Sequence, residues 1–353
     1  MNTYQTAGGA YIYQIPLHEF PGLIGNSYLV ITGVYRVLID TGSGYGESNH
    51  DLEKGLEEIS IFRSEDCSFR SLTHIFITHG HIDHYGGLSF IKNKTQAQVC
   101  IHELDQRIVA NHDERVTLAS HRLNQFLVEA GVSAENRNKQ LEMYKITKSL
   151  FQSVKVDITY ESAGMYIGPF IFTHVPGHCA GHVLIRLHDV LFSGDQILEK
   201  TSPHQVPEQI TPSTGLETYL RSLEIVKSIA KEVKFTLGGH ENPIYDLESR
   251  ILEIKNVHRD RLQLILEALS EPRTIADISK LLFGKVEGYT ILLALEEAGA
   301  HIEYLYQRGY LEISNISEVE INLDSTAFNY KSIVPKAINS GQPLTKEDFH
   351  VFI

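Results

Sequence analysis

The sequence of 353 residues has few cysteines and no long apolar run. Its three cysteines, Cys67, Cys100 and Cys179, are odd in number and widely spaced. A disulfide framework is therefore not expected, and a reducing cytoplasm fits best. No apolar run approaches the ~18 residues that a membrane span requires. Residues 1–6 also lack the basic region and the apolar core of a secretory signal peptide, so we expect a cytoplasmic protein without a membrane segment.

Positive charge is scarce as well, because 44 acidic residues stand against 31 basic ones and the formal net charge is −13. This balance disfavours non-specific attraction to nucleic-acid phosphates, although it leaves a local basic groove open. The glycine-rich stretch Gly42–Gly46 lacks the Lys-Ser/Thr ending of a P-loop, which argues against phosphate binding there. The chain is longer than one ordinary domain, so two are expected.

Four potential metal ligands stand within six residues, directly after an apolar run: His79, His81, Asp83 and His84. The run, Ile75–Ile77, predicts a buried strand, and a strand end gives ligands the rigid base that a metal site needs. His79 and His81 can converge on one ion, while Asp83 and His84 reach a second. A histidine-rich surface loop is the alternative interpretation, and the density of ligands disfavours it.

Three later segments repeat the order of strand, glycine and potential ligand. They place His178 on a Pro-Gly turn, Asp195 after an apolar strand and a glycine, and His240 after another strand and two glycines. An earlier strand, Val37–Ile39, ends at Asp40. This set of motifs, in this order, resembles the metallo-β-lactamase superfamily over about the first 245 residues. The motifs are specific for fold and metal site, but not for substrate.

The resemblance implies a site for two metal ions. It assigns His79, His81 and His178 to one ion, Asp83, His84 and His240 to the other, and Asp195 to a bridge between them. Asp40 and His182 would support the ligands through hydrogen bonds, and Cys179 would replace a threonine that has no metal role. Nitrogen and oxygen ligands without thiolate suit two zinc ions, with manganese or iron as alternatives.

The same resemblance implies an α/β fold, an αββα sandwich over residues 1–246. The alternation of predicted strands and helices agrees with it. Residues 103–153 interrupt this rhythm with a long helical pattern. An insertion at this point of the superfamily commonly lies over the metal cleft, so we interpret 103–153 as a helical cap that shapes the substrate pocket. A helical excursion that packs elsewhere is the alternative.

After residue 246 the pattern becomes helical. One amphipathic helix precedes Pro272, Thr274 can cap a second, and a third extends from about Gly288 towards Arg308, before a strand. Residues 247–315 thus resemble a winged-helix domain of one branch of the superfamily, which includes a mammalian single-stranded-RNA endoribonuclease.

The third predicted helix of this region is acidic, with Glu296, Glu297 and Glu303 and few basic residues. Carboxylates are unfavourable beside phosphates, so nucleic acid is an unexpected partner, although RNA stays open. Packing or formation of a homodimer is the expected use of this helix. Residues 316–353 form a polar tail that receives no assignment.

Three functions fit these features. The first is a hydrolase that uses a metal-bound hydroxide on a small acyl substrate, a thioester or lactone as in glyoxalase II, with Asp83 taking up or relaying a proton. The second is a single-strand endoribonuclease or another phosphodiesterase, and the third is a metal-free binding protein. The complete ligand set disfavours the third, and the net acidity favours the first over the second. His204, in a proline-rich loop, is a candidate substrate contact.

Overall fold

The computed structural model describes residues 2–149 and 151–334. The chain divides into two compact units. Unit 1 is drawn from residues 1–116, 148–203 and 225–250, and unit 2 from 117–147, 204–224 and the residues from 251 onward. The expected domain limits at residues 246 and 315 stay predictions, and most of the unassigned tail, from residue 335 onward, lies outside the described residues.

The first sheet of unit 1 has seven strands in sequence order. They are β1 (Asn2–Gln5), β2 (Tyr11–Phe20), β3 (Leu23–Thr32), β4 (Tyr35–Ile39), β5 (His74–Phe76), β6 (Gln98–Ile101) and β7 (Ile158–Thr159). The first four are antiparallel, and β4 to β7 are parallel. Parallel neighbours need long crossovers, which here are helical.

The crossover helices begin with α1 (Ser48–Arg63). The others are α2 (Ile82–Tyr85), α3 (Leu88–Ile91), α4 (Glu103–Ala110), α5 (His112–Glu129) and α6 (Ala134–Ser149). The last three confirm the helical content predicted for 103–153. Their role as a cap over the metal ligands stays a prediction.

The second sheet of unit 1 has five strands: β8 (Tyr166–Ile167), β9 (Phe170–His174), β10 (Val183–Leu187), β11 (Val190–Gly194) and β12 (Phe235–Gly238). Their order is β12-β11-β10-β9-β8, and only the β11–β12 pair is parallel. β10 and β11 form a hairpin in which Ile185 pairs with Phe192.

The core of unit 1 follows from the alternation of side chains along these strands. Leu38 and Ile75 lie on one face of the first sheet, in a cluster with Leu52 of α1. Phe76 lies on the other face and packs edge-on against Phe172 of the second sheet, with ring centroids 5.1 Å apart. A helical layer, a sheet and a second sheet are thus stacked, and the predicted α/β sandwich is confirmed.

The remaining elements are mostly helical: α7 (Leu216–Ile229), α8 (Leu247–Ala268), α9 (Ile275–Phe283), α10 (Thr290–Gln307), α11 (Ile316–Ile321) and the strands β13 (Leu311–Ile313) and β14 (Tyr330–Ser332). Thr274 caps α9 as predicted, in a reciprocal capping box with Asp277. β13, where the sequence predicted a strand, pairs antiparallel with β14, which lies in the tail that received no assignment. The winged-helix classification stays a prediction.

Within the described residues, every helix is too short or too polar to cross a lipid bilayer.

Candidate metal centre

The candidate ligands lie where strands end. Asp40 follows β4, and His79 follows β5, its parallel neighbour. In the second sheet, Asp195 follows β11 and His240 follows β12, which are also parallel. Parallel strands present their carboxyl ends at one edge of a sheet, and in open α/β sheets this edge is where ligands bind. The topology therefore gathers side chains that are far apart in sequence.

The first ligand group contains the three histidines His79, His81 and His178. One nitrogen from each ring lies within 4.8 Å of the others. The ring centroids of His79 and His81 are 4.6 Å apart, and those of His81 and His178 are 4.5 Å apart. His79 is fully buried and His178 nearly so. Three imidazoles that converge in this way could hold one metal ion.

The second ligand group contains Asp83, His84, Asp195 and His240, again with one atom each within 4.8 Å. Nε2 of His240 lies 3.4 Å from Oδ2 of Asp83 and 3.4 Å from Oδ2 of Asp195. Asp83 is the most exposed of the four, with 18% of its side chain accessible. The group thus has a closed interior side and a more open side at Asp83.

Asp195 faces both groups. Its Oδ2 lies 3.4 Å from Nε2 of His84, in the second group, and 3.9 Å from Nε2 of His178, in the first. A single carboxylate oxygen thus stands within reach of imidazoles from each set. A bridging ligand must occupy this kind of position, and the role itself stays a prediction.

Burial and neighbouring charge shift the pKa values of His79 and His84 in opposite directions. Burial holds the pKa of His79 well below its ordinary value, and the neighbouring imidazoles add to this effect. Burial opposes the charged form of His84 too, but the carboxylates of Asp195, Asp40 and Asp83 outweigh it and raise the pKa well above its ordinary value. His79 therefore offers a neutral nitrogen to the first group, whereas carboxylates surround His84 in the second.

The residues present fit transition-metal ions. Nε2 of His79 is buried without a hydrogen-bond partner among the described residues, which is costly unless a bound ion or ligand interacts with it. All donors are imidazole nitrogens or carboxylate oxygens, a set that suits zinc, manganese or iron. Cys179 belongs to neither group, because its Sγ donates to Oδ2 of Asp105 at 3.2 Å.

Asp40 and His182 lie behind the ligands. Asp40 has a φ of +56°, and its carboxylate accepts hydrogen bonds from the backbone N–H and the hydroxyl of Thr78, both at 2.8 Å. Nδ1 of His84 lies 2.9 Å from the same carboxylate. Nε2 of His182 accepts a hydrogen bond from the backbone N–H of Asp195 at 3.1 Å. Both residues thus make hydrogen bonds behind the candidate ligands, and the supporting role that the resemblance implied stays a prediction.

Two buried carboxylates at this edge were missed in the sequence. Asp105, fully buried, accepts hydrogen bonds from the backbone N–H groups of Gly80 and Gly181. Glu19, 1% exposed, accepts from the backbone N–H of Ser43, and burial raises its pKa to about 7. The position of Asp105 just after β6, beside β5, was an available signal. Glu19 lies near the end of β2, a long antiparallel strand, and no sequence motif marks it.

His204 lies in unit 2, on the loop before α7. Its Nε2 is 3.1 Å from Oε2 of Glu296 and its Nδ1 is 3.4 Å from Oε2 of Glu297. Burial would lower the pKa of His204, but these two carboxylates outweigh it and raise the pKa to about 9. The structure thus brings His204 together with acids of its own unit, and contact with a substrate stays a prediction.

Comparison with known proteins shows the family of the chain. The family model described as the metallo-β-lactamase superfamily matches residues 20–240. The "Beta-lactamase-like protein 2 homolog" of Drosophila melanogaster is 23% identical over 300 residues, which cover 84% of this chain and 86% of that protein. "Thioesterase pkgB" of Emericella nidulans is 25% identical over 228 residues, 64% of this chain and 48% of its own length. The chain therefore spans about half the length of this fungal relative.

Two solved structures have a similar fold. A metallo-β-lactamase family protein from Thermus thermophilus superposes with a TM-score of 0.69 at 24% identity, covering 91% of this chain and 98% of that one. A β-lactamase domain protein from Burkholderia ambifaria gives a TM-score of 0.67 at 19% identity, with 94% of each chain covered. At these identities the likeness shows the fold alone. Because the family model matches well over half of the sequence, the chain belongs to the metallo-β-lactamase superfamily of hydrolases.

Proposed function

We propose that this protein is a dinuclear metal-dependent hydrolase of small acyl substrates, with a thioester as the preferred class and a lactone as the next. The position of Asp195 supports the proposal most strongly, because its Oδ2 lies within 3.9 Å of imidazoles from both ligand groups. Two adjacent ion sites with a shared carboxylate are the arrangement of two-metal hydrolases.

His79, His81 and His178 would hold one ion, and Asp83, His84 and His240 the other. When bound, the pair of ions would lower the pKa of a water molecule towards ~7 and polarise the carbonyl oxygen of the substrate. Asp83 is the ligand best placed to accept the proton that this water releases, since it is the most exposed member of the second group. His204 is the proposed substrate contact.

The thioester class is supported by the names of relatives. The relative from Emericella nidulans is named a thioesterase. A second protein of that fungus, named an atrochrysone carboxyl ACP thioesterase, is 43% identical over 63 residues, which cover 18% of each chain. The thiolate of a thioester is a good leaving group, so attack of an activated water on the carbonyl carbon is sufficient for hydrolysis.

The test is turnover on zinc-loaded protein. Elemental analysis should find about two zinc ions per chain, and a panel of short acyl thioesters and lactones should be hydrolysed, whereas a single-stranded RNA of mixed sequence should not. Cleavage of the RNA with no thioester turnover would replace the proposal by the endoribonuclease function. Protein that takes up no zinc and turns over none of these substrates would favour a binding protein.

A further inference from the structure

Asp105 joins the two loops that carry the first ligand group. It lies in the first turn of α4, is fully buried, and has its own backbone N–H bonded to the carbonyl of His102. Its Oδ2 accepts the backbone N–H of Gly80 at 2.8 Å, and its Oδ1 accepts the backbone N–H of Gly181 at 2.9 Å. One carboxylate thus accepts hydrogen bonds from two loops. Asp105 is 25 residues from Gly80 in the first loop and 76 residues from Gly181 in the second.

Each of these bonds is made immediately beside a ligand. Gly80 separates His79 from His81, and Gly181 lies three residues after His178. The thiol of Cys179, next to His178, also donates to Oδ2 of Asp105 at 3.2 Å. The carboxylate therefore receives three donors, all of them from the two loops that carry the three-histidine group.

The glycines show how closely both loops approach Asp105. A Cβ atom at Gly181 would lie 2.6 Å from Cγ of Asp105, and one at Gly80 would lie 3.0 Å from the same atom. Contacts this short leave no room for a side chain at Gly181 and almost none at Gly80, where Ile108 would also clash at 2.5 Å. Both loops thus have the residue that allows direct backbone contact with the carboxylate.

We infer that Asp105 is the positioning residue of the three-histidine site: its carboxylate holds the two ligand loops together so that His79, His81 and His178 converge before a metal ion arrives. The inference rests on the proposed metal centre. It gives Cys179 a supporting role as a hydrogen-bond donor to the same carboxylate, where the sequence indicated a neutral replacement. Residues that orient ligands from behind typically affect metal affinity by about 10- to 100-fold.

The test variant is Asp105→Asn, which has the same shape. An amide offers one acceptor oxygen, so its NH₂ group must face the N–H of Gly80 or of Gly181, and one of the two bonds is lost. In a titration with cobalt(II) or zinc against a chelator, we expect one of the two binding steps to weaken by about 10- to 100-fold and the other to stay unchanged. A general loss of stability would weaken both steps together.

The matched control is Glu103→Gln. Glu103 also lies in the first turn of α4 and also accepts two backbone N–H groups, of Glu161 at 3.0 Å and of Ser162 at 2.9 Å. That loop carries no ligand of the centre, so both binding steps should match the wild type.

A second pair of variants tests the thiol of Cys179. Cys179→Ser keeps a hydrogen-bond donor and should bind metal like the wild type. Cys179→Ala loses the donor and should weaken the binding step that Asp105→Asn weakens, but by a smaller factor.

A second measurement needs no metal. In metal-free wild-type protein the amide hydrogens of Gly80 and Gly181 should exchange slowly, and in Asp105→Asn at least one of them should exchange faster by about 10-fold or more, since a lost hydrogen bond opens the amide. The inference would be overturned if Asp105→Asn bound metal with wild-type affinity and its Gly80 and Gly181 amides exchanged at wild-type rates. Wild-type protein that binds no metal would overturn the proposed function instead, and the exchange rates would still decide whether Asp105 joins the loops.

Discussion

Oδ2 of Asp40 lies 2.9 Å from Nδ1 of His84, and both side chains are buried. This contact assigns the proton of the imidazole to Nδ1, because a carboxylate can only accept. If a metal ion binds Nε2, which lies 3.4 Å from Asp195, the one remaining proton of the ring stays on Nδ1. The pair thus sets the tautomer that a metal ligand requires.

Asp40→Asn should therefore weaken metal binding. The amide can present its NH₂ group to Nδ1, which would stabilise the opposite tautomer and place a hydrogen on Nε2. We expect the zinc affinity of one site to fall by about 10- to 100-fold, measured by competition with a chelator. Asp51→Asn is the matched control, because Oδ2 of Asp51 lies 2.8 Å from Nδ1 of the exposed His18. Equal loss in both variants would contradict the prediction.

Asp195→Ala should remove the oxygen that both ligand groups share. We expect the zinc content to fall from about two ions per chain to one or fewer, and hydrolysis to fall by at least about 100-fold, the upper end of the range for outer partners. Asp189→Ala is the control, since Asp189 lies in the turn of the same β10–β11 hairpin and its carboxylate accepts the backbone N–H of Ala7. Two retained ions with full activity would show that Asp195 is not the bridge.

His204 should make the stability of the chain pH-dependent. Its pKa is raised from 6.5 to about 9 by Glu296 and Glu297, against the effect of burial. A raised pKa means that the stabilisation is fully present below pH 6.5 and is lost as the pH rises through 9. At pH 6, His204→Gln should lose about 1–2 kcal/mol of unfolding free energy, allowing for partial solvent screening.

The measurement for His204 is thermal unfolding of the full chain between pH 5 and 10. The difference between His204→Gln and wild type should shrink above pH 9, where the wild-type imidazole is neutral as well. Glu297 keeps a second cationic partner in the variant, since Arg261 lies 2.6 Å from its Oε1. His121→Gln, at an exposed position of α5, is the control. A difference that stays constant across this range would refute the assignment.

The third helix of the C-terminal region, α10, should not support binding of duplex DNA. Glu297 accepts the backbone N–H of Gln205, and Glu303 accepts the backbone N–H of Glu208, so these acids already bind a loop of their own unit. Arg308, beside this helix, pairs with Glu217. The full-length chain should show no salt-sensitive gel shift with random duplex DNA at about 1 µM. A strong shift that disappears at high salt would contradict this.

The convergence of the candidate ligands could be predicted because their pattern is local. His79 to His84 form one contiguous motif, and each later ligand follows a strand and a glycine, so the order of residues alone indicates the site. The α/β class could be predicted for the same reason, since the continuous burial of β3 to β5 is visible as apolar runs, whereas the sandwich was expected from the family resemblance.

The contacts of Asp105 and His204 could not be predicted, because they depend on partners far away in the chain. Asp105 is one aspartate in a helical stretch until the fold brings Gly181 to it from 76 residues away. His204 and Glu296 are separated by 92 residues. β14 is three residues long and has no pattern of its own, so only its pairing with β13 defines it as a strand.

The distribution of the candidate ligands over two sheets has a consequence for the stability of the protein in a cell. Residues between 79 and 240 meet only when both sheets are formed, so an unfolded chain cannot present the complete site. Ions that bind only the native state stabilise it by mass action, by about 4 kcal/mol when their concentration is 1,000 times the dissociation constant. Chains that receive no metal would unfold more often, and proteases would remove them first. The supply of metal would then determine the steady-state amount of the protein.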